Sequence, residues 1–213
     1  MRIDSSFNGV LGIIGAGGLG KEVLCCLGDI TGWKEINSRA VFLVEEGFAM
    51  PSEVHGIKVL PFAEATKACS CFIIAIGDAT ARDRIRTQLP SNSIFATLIH
   101  PDVRLTPFTT IGEGTIVLSR TFLSVDVSIG SFSLVNPGTT ISHDCTIGDF
   151  FTGSPGVNIS GNVLVGRHVF MGTNASIRNA IEITDHVVIG MGAVVTRDIS
   201  QAGTYIGNPA SLV

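Results

Sequence analysis

The sequence predicts an α/β domain followed by a parallel β-helix, and three observations support this prediction. An aliphatic residue recurs every six positions through the second half of the 213-residue chain. Glycine, which tolerates the positive φ values of tight corners, often follows that residue. In the first half, a short apolar segment leads into a glycine-rich turn and then a helix. The chain therefore divides into an N-terminal domain, residues 1–103, and a β-helix, residues 104–213.

The six-residue repeat runs from Ile111 to Val195 and is the strongest pattern in the chain. Fourteen of its fifteen positions are aliphatic, although aliphatic residues make up only about a third of the chain. The positions are Ile111, Val117, Leu123, Ile129, Val135, Ile141, Ile147, Gly153, Ile159, Val165, Met171, Ile177, Ile183, Ile189 and Val195. A second register four residues later, which includes Cys145, carries mostly small or β-branched side chains. Both registers are expected to point into the interior.

The period of the repeat dictates its geometry. Each unit is long enough for a short strand and a turn, and three units close one triangular coil of eighteen residues. Fifteen units make ninety residues, hence five coils. Neighbouring coils lie about 4.8 Å apart, the ordinary distance between strands. We expect the glycines spaced eighteen apart to give the corners positive φ values; these are Gly112, Gly130, Gly148 and Gly166. A β-sandwich, the alternative, has no fixed six-residue step.

The composition favours a folded protein without a nucleic-acid surface. Hydrophobic residues make up 45% of the chain and charged residues 15%, which allows a sizeable core. A net charge of −4 makes a nucleic-acid partner unexpected. No stretch approaches the roughly 20 apolar residues of a membrane span, and the first residues lack signal-peptide features. Because the five cysteines follow no zinc or redox spacing, we expect reduced thiols in a cytoplasmic protein with no membrane partner.

A glycine-rich loop lies between the predicted strand Gly9–Ile14 and the predicted helix Lys21–Gly28. In this order, glycines let the chain turn tightly and let phosphate groups approach the amides at the helix N-terminus. Gly15, Gly17 and Gly18 are therefore candidate substrate-binding residues. The alternative is that these glycines only form a tight turn.

Two further strand ends carry acidic residues that suit a ligand. The predicted strand Ala40–Val44 is followed by Glu45, at the place where a ribose-binding acid would lie. The predicted strand Phe72–Ile76 is followed by Gly77 and Asp78, and Asp78 is well placed to cap the next helix. Glu45, Gly77 and Asp78 are candidate substrate-binding residues, although each acid is equally well explained as an exposed or helix-capping side chain.

The length of the first domain limits what it binds. About 100 residues precede the β-helix, enough for one βαβαβ half of a Rossmann fold but not for the complete dinucleotide fold. Such a half-Rossmann domain binds one nucleotide. We therefore expect a nucleotide-linked sugar as its ligand rather than NAD.

His143 is the candidate catalytic residue of the β-helix. It lies two positions after the inward residue Ile141, so its side chain should project outward near a corner. Asp144 follows it, and a neighbouring carboxylate orients an imidazole and stabilises its charged form. Histidine is the side chain best suited to proton transfer near neutral pH. The alternative is a solvated surface histidine.

A second pair of histidines invites a zinc site. His168 and His186 lie one coil apart and should stack. Zinc would need a third nitrogen ligand, and the neighbouring coils carry Phe150 and Thr204 at this position. We therefore expect no metal.

Taken together, these segments resemble the NeuD/PglD family of sugar acetyltransferases over nearly the whole chain. The resemblance rests on the order and spacing of six segments: Ile13–Gly18; Ile76-Gly77-Asp78 with Arg82; Ile99-His100-Pro101; Val135–Gly138; His143–Phe150; and Gly207–Ala210.

The resemblance implies a left-handed β-helix and an acetyl-CoA site between neighbouring subunits of a homotrimer. Packing three prisms side by side would also cover the flat faces of the solenoid. His143 matches the catalytic base of the family, Asp144 its acidic partner and Asn136 a residue near the acceptor. The Gly161 amide would approach the thioester carbonyl and stabilise the developing oxyanion. Further acetyl-CoA contacts are implied for Thr152, Ala180 and Gly190.

The chain departs from the family pattern at three places. Leu19 in the glycine loop and Thr152 in the β-helix stand where the family usually has histidine. Glu45 stands where the family usually has an Asp-rich segment. These changes bear on the sugar and acetyl-CoA contacts.

The predicted activity is acetyl-CoA-dependent N-acetylation of a nucleotide-linked 4-amino sugar for surface polysaccharide or glycan biosynthesis. Transfer would be direct, with His143 as general base and no covalent enzyme intermediate. One alternative is O-acetylation of sialic acid, which uses the same fold with a hydroxyl nucleophile. A non-catalytic binding or scaffold protein is an alternative from another class.

Overall fold

The computed structural model describes residues 1–4, 6–48 and 51–213. These residues form two units, Met1–Pro101 and Asp102–Val213. Among them, no helix combines the length and the hydrophobicity needed to cross a membrane.

A sheet of five strands forms the centre of the first unit. The strands are β1 (Leu11–Ile14), β2 (Ala40–Val44), β3 (Glu53–Val54), β4 (Ile57–Pro61) and β5 (Cys71–Ile74), and β6 (Leu98–Ile99) follows near the end of the unit. The strand order is β3-β4-β2-β1-β5. β3 pairs antiparallel with β4, whereas the other pairs are parallel. β1 and β5 are buried along their whole length, as expected of parallel strands that are covered on both faces.

The helices of the first unit lie between these strands. They are α1 (Gly18–Thr31), α2 (Trp33–Arg39), α3 (Ala65–Ala68) and α4 (Ala79–Gln88), with a 3-10 helix at Phe62–Glu64. α1 begins within the glycine loop, earlier than the predicted start at Lys21. Gly20 is buried there, and a Cβ at this position would collide with the carbonyl oxygen of Gly15. Glycine at this position is thus required for the loop to close against the helix.

One strand of the sheet ends earlier than the sequence predicted. β2 has the predicted bounds, but β5 ends at Ile74 rather than at Ile76. The reason is that its neighbour β1 ends at Ile14, whose carbonyl accepts a last hydrogen bond from the Ala75 amide (2.8 Å). Ala75 and Ile76 then continue into the turn before α4.

The second unit is a parallel β-helix with three faces. The first face contains Thr110–Ile111, Ser128–Ile129, Thr146–Ile147, Leu164–Val165 and Glu182–Ile183. The second contains Ile116–Val117, Leu134–Val135, Thr152–Gly153, Phe170–Met171, Val187–Ile189, Gly203–Ile206 and Ser211–Leu212. The third contains Phe122–Leu123, Thr140–Ile141, Asn158–Ile159, Ser176–Ile177 and Val194–Val195. Ser211–Leu212 pairs antiparallel with Gly203–Ile206 and ends the second face.

The registers of this β-helix are those that the six-residue step predicts. Ile129 pairs with Ile111 in one neighbouring coil and with Ile147 in the other, so equivalent residues lie eighteen positions apart. Ile141 and Cys145, one from each register, are both fully buried, with 0% of their surface exposed. The core is therefore a stack of matching side chains that runs along the prism axis.

The residues with positive φ values at the corners are not the glycines that were expected there. The glycines after the inward residues, such as Gly130 and Gly148, do not have positive φ values. They are glycines because the coils approach closely: a Cβ at Gly148 would lie 2.6 Å from the carbonyl carbon of Gly166. The left-handed corner positions are other residues, including Asp144 at φ 58° and Gly156 at φ 73°. The expected link between these glycines and the corner φ values is thus wrong.

Candidate active site

The His143–Asp144 pair lies at a corner of the β-helix, just after the strand Thr140–Ile141. Its side chains are about half exposed, at 54% and 53%. The Nδ1 atom of His143 lies 2.7 Å from Oδ2 of Asp144. Because a carboxylate only accepts hydrogen bonds, it holds the proton of a neutral imidazole on Nδ1 and leaves Nε2 as an acceptor. An accepting Nε2 on a half-exposed ring is what a general base requires.

Backbone hydrogen bonds to the coils on either side fix this corner. The Asp144 amide donates to the carbonyl of Val125 (3.2 Å), and the carbonyl of His143 accepts from the Asn162 amide (2.9 Å). The next residue, Cys145, points inward, and its thiol donates to the Ser160 carbonyl (3.1 Å). Burial raises the pKa of the Cys145 thiol, which disfavours a thiolate nucleophile. At this corner the imidazole of His143 is therefore exposed, whereas the thiol of Cys145 is buried.

The four predicted acetyl-CoA residues fall into two groups. Gly161 and Ala180 lie at the corner of His143, in the following coils, and the Ala180 amide donates to the Gly161 carbonyl (3.0 Å). Gly161 is buried beside the imidazole, whereas Ala180 is exposed. Thr152 lies in a strand of the second face and is only 3% exposed. Gly190 directly follows the strand Val187–Ile189 of that face.

Asn136, the predicted acceptor-side residue, also belongs to the second face. It follows the strand Leu134–Val135 and is partly buried. Its Nδ2 donates to the carbonyl of Gly153 in the next coil (2.8 Å). This bond ties the side-chain amide to the backbone of the neighbouring coil.

A pocket of about 580 Å³ lies at the carboxyl ends of the strands in the first unit. Five of the six substrate-binding residues predicted in this unit line it: Gly15, Gly17, Gly18, Glu45 and Gly77. Gly15 has a φ of 107°, and Cβ atoms at Gly17, Gly18 or Gly77 would have no other atom within 4 Å. The backbone at these three positions is therefore open to a ligand. The sixth residue, Asp78, caps α4 instead, because its Oδ1 accepts from the Ala81 amide (2.7 Å).

The acid at the end of β2 is held by a partner that sequence reasoning missed. The two carboxylate oxygens of Glu45 accept from Nη1 and Nη2 of Arg84, at 2.6 and 2.8 Å. These charge-assisted bonds lower the pKa of Glu45. Arg84 also lines the pocket. No sequence signal pointed to it, because it is one of several polar residues along α4.

A buried arginine supports the opposite wall of the pocket. Arg82 of α4 is only 2% exposed, and burial lowers its pKa to about 10. Its Nη1 donates to the carbonyls of Ile76 (3.0 Å) and Gly77 (2.8 Å). Arg82 thereby fixes the turn that carries the open backbone of Gly77.

The second histidine pair is part of an aromatic ladder at another corner. Phe132, Phe150, His168 and His186 stack in successive coils, with ring centroids 5.4, 4.8 and 5.0 Å apart. The predicted stacking of His168 on His186 is confirmed. Within the described part of the chain, no group of three or more His, Cys, Asp or Glu residues is placed to hold a metal ion.

Comparison with solved structures finds proteins that are similar over nearly the whole chain. The acetyltransferase domain of PglB from Neisseria gonorrhoeae FA1090 is 27% identical, with a TM-score of 0.86 over 97% of this chain and all of that one. It has also been solved in complex with acetyl coenzyme A. PerB from Caulobacter crescentus, in complex with CoA and GDP-perosamine, is 26% identical, with a TM-score of 0.83 over 97% of this chain and 98% of that one.

WeeI from Acinetobacter baumannii AYE is similar to the same extent, with 26% identity and a TM-score of 0.86 over 96% of this chain and 99% of that one. No protein-family model matches the chain, and no curated protein matches its sequence. The resemblance to hexapeptide-repeat sugar acetyltransferases is confirmed by the structural neighbours. The predicted fold class, a half-Rossmann α/β domain followed by a left-handed parallel β-helix, is confirmed with it.

Proposed function

We propose that this chain transfers the acetyl group of acetyl-CoA to the 4-amino group of a nucleotide-linked sugar, with His143 as general base. The observation that carries the proposal is the exposed His143–Asp144 pair, on a chain that matches the PglB acetyltransferase domain and PerB from end to end. A solved PglB domain holds acetyl coenzyme A, and PerB holds CoA and GDP-perosamine. These ligands support acetyl-CoA as donor and a nucleotide sugar as acceptor here.

The pocket of the first unit suits the nucleotide of the acceptor. Gly17 and Gly18 expose backbone at the start of the 14-residue helix α1, where amides and the helix dipole attract phosphate oxygens. Glu45 offers an ionised carboxylate to the ribose hydroxyls. We propose that the diphosphate and ribose bind in this pocket.

The acetyl transfer balances without a covalent enzyme intermediate. The amine nitrogen attacks the thioester carbonyl carbon, and Nε2 of His143 takes the proton that the nitrogen loses. The carbon–sulfur bond then breaks, and the imidazolium returns a proton to the sulfur, giving the acetamido sugar and CoA. Asp144 keeps the ring oriented and stabilises its charged form. The amide of Gly161 is proposed to donate to the thioester oxygen as negative charge develops on it.

Release of the CoA thiol, measured with a panel of acceptors, tests the activity. We expect turnover with a 4-amino sugar linked to GDP, UDP or dTDP, and none with sialic acid. Acetylation of sialic acid would instead support O-acetylation. Failure of acetyl-CoA to raise the melting temperature would favour a binding or scaffold protein.

Replacement of the base tests the mechanism. His143→Ala should lower kcat by roughly 10²- to 10⁴-fold, the usual contribution of a general acid or base. The melting temperature should stay unchanged, since the side chain is half exposed. A wild-type kcat in this variant would rule out His143 as the base.

We further propose that the active form is a homotrimer, with acetyl-CoA bound between neighbouring β-helices. The repeated flat faces of the solenoid support this assembly. Such an arrangement would let one subunit supply His143 while its neighbour contributes contacts to the coenzyme.

A further inference from the structure

We propose that Gly161 positions the imidazole of His143 by carrying no side chain, an inference that rests on the function proposed above. Gly161 lies one coil beyond His143, in the same register at the same corner of the β-helix. It is buried, although the imidazole beside it is half exposed. The ring thus occupies the volume that a side chain at position 161 would otherwise fill.

Two of the three distances at this contact are shorter than the roughly 3.0 Å that real Cβ atoms keep from a neighbouring atom. A Cβ built on Gly161 would lie 2.6 Å from Cε1, 2.7 Å from Nε2 and 3.1 Å from Nδ1 of His143. A methyl group at this position would therefore displace the imidazole. It would crowd Cε1 and also Nε2, which is the atom proposed to take the proton.

The backbone does not require glycine at this position. Gly161 has no positive φ value, so any residue can adopt its conformation. The same register carries Val125 in the coil before His143 and Asn179 in the coil after Gly161. This register therefore accommodates side chains in other coils, and glycine is found where the ring of His143 lies.

Two contacts together define the position of the ring. Asp144 holds Nδ1 at 2.7 Å, which fixes the tautomer and one edge of the imidazole. Gly161 leaves free the space that the ring occupies. Because the ring is the far end of a half-exposed side chain, it can swing away into solvent when a Cβ takes that space.

Gly161→Ala separates ring position from the hydrogen bond of the Gly161 amide, because alanine keeps that N–H group. We expect kcat to fall about 10- to 100-fold, the loss that a misplacement of about 1 Å can cause. The KM values for both substrates should stay roughly unchanged. Asn179→Ala, in the same register one coil later, is the matched control and should keep the wild-type kcat.

A double variant tests whether Gly161 acts through His143. His143→Ala with Gly161→Ala should have the same kcat as His143→Ala alone, because the ring to be positioned is gone. A further loss in the double variant would contradict the proposal. If Gly161→Ala is destabilised by the ring contact, the double variant should recover the melting temperature. If the double variant does not recover it, the contact with the ring is not the reason for glycine.

A measurement that needs no activity completes the test. The Cε1–H signals of the five histidines can be followed by NMR, and the signal that is lost in His143→Ala is that of His143. Gly161→Ala should shift this signal, and Asn179→Ala should not. A shifted signal in a protein that acetylates no acceptor would refute the proposed function but not the contact. An unshifted signal, or a shifted signal with unchanged kcat, would refute the positioning role of Gly161.

Discussion

Asp144 combines a backbone conformation and a side-chain role that few residues can fulfil together. Its φ of 58° lies in the left-handed region, which asparagine and aspartate tolerate better than most residues. This conformation turns the chain at the corner and brings the carboxylate to the ring of the preceding residue, His143. The local turn therefore brings the two side chains together, and hydrogen bonds to the coils on either side hold the corner in place.

Replacing Asp144 by Asn should preserve the corner but not the chemistry. An asparagine amide that donates to Nδ1 favours the tautomer with its proton on Nε2, which cannot accept another. We expect kcat to fall by more than about 10-fold with little change in KM, since a partner that selects the wrong tautomer disables the base. Asp144→Glu keeps a carboxylate and should retain most of the activity. Steady-state kinetics of both variants would test this expectation. Equal losses of kcat in the two variants would contradict a role of Asp144 in selecting the tautomer of His143.

At the scale of the element, a pair of contacts couples α4 to the carboxyl ends of the sheet strands. Arg84 binds Glu45 at the end of β2, and Arg82 binds the carbonyls that follow β5. One helix therefore positions two walls of the pocket in the first unit. The ion pair of Arg84 and Glu45 joins residues 39 positions apart, so neither the motif nor the helix pattern revealed it.

Arg84→Ala should weaken binding of the proposed nucleotide sugar, because Glu45 loses the partner that orients its carboxylate. We expect a several-fold rise in the KM of the sugar substrate and little change in kcat, the signature of a contact that binds ground state and transition state equally. Arg86→Ala removes a cation from the same helix, away from the pocket, and is the control. A lower kcat with an unchanged KM in Arg84→Ala would show that the residue acts on chemistry instead.

Two glycines of the β-helix, Gly148 and Gly161, should differ in how much an alanine at their position lowers the stability of the protein. A Cβ at Gly148 would meet backbone atoms of Gly166 and Arg167, 2.6 to 2.8 Å away, which cannot move aside. Gly148→Ala should therefore lower the free energy of unfolding by about 1–3 kcal/mol, as overpacking does. The three atoms nearest to a Cβ at Gly161 all belong to the half-exposed side chain of His143, which can turn aside, so Gly161→Ala should cost less. Urea unfolding of the two variants would test this, and equal losses would contradict the distinction.

The sequence predicted those parts of the fold that a local period determines. The six-residue step identified inward residues such as Ile141 and Cys145, because every strand repeats the same pattern. It could not explain Gly130 or Gly148, since the closeness of adjacent coils is a property of the stacked solenoid. The sequence also predicted that His143 and its neighbour Asp144 form a pair at an outward corner, because the two residues are adjacent in the chain. The contact between His143 and Gly161 becomes apparent only once the two residues are aligned in successive coils.

At the scale of the whole molecule, the proposed trimer is open to a direct test. The chain has a mass of 22.3 kDa, and multi-angle light scattering should give about three times that value. Acetyl-CoA bound between subunits would stabilise the assembly by mass action. Adding acetyl-CoA should then raise the fraction of trimer that remains after dilution. A monomer mass at micromolar concentration would contradict the proposal.

The regular stacking of the coils also constrains how such a chain can change over generations. Equivalent residues pair eighteen positions apart, so each strand depends on the strands before and after it. Losing one residue within a strand would turn later aliphatic side chains towards water and polar ones towards the axis. Gain or loss of a whole coil keeps every later side chain on its proper side. Inherited length differences in this domain should therefore be whole coils, or loops that leave at a corner.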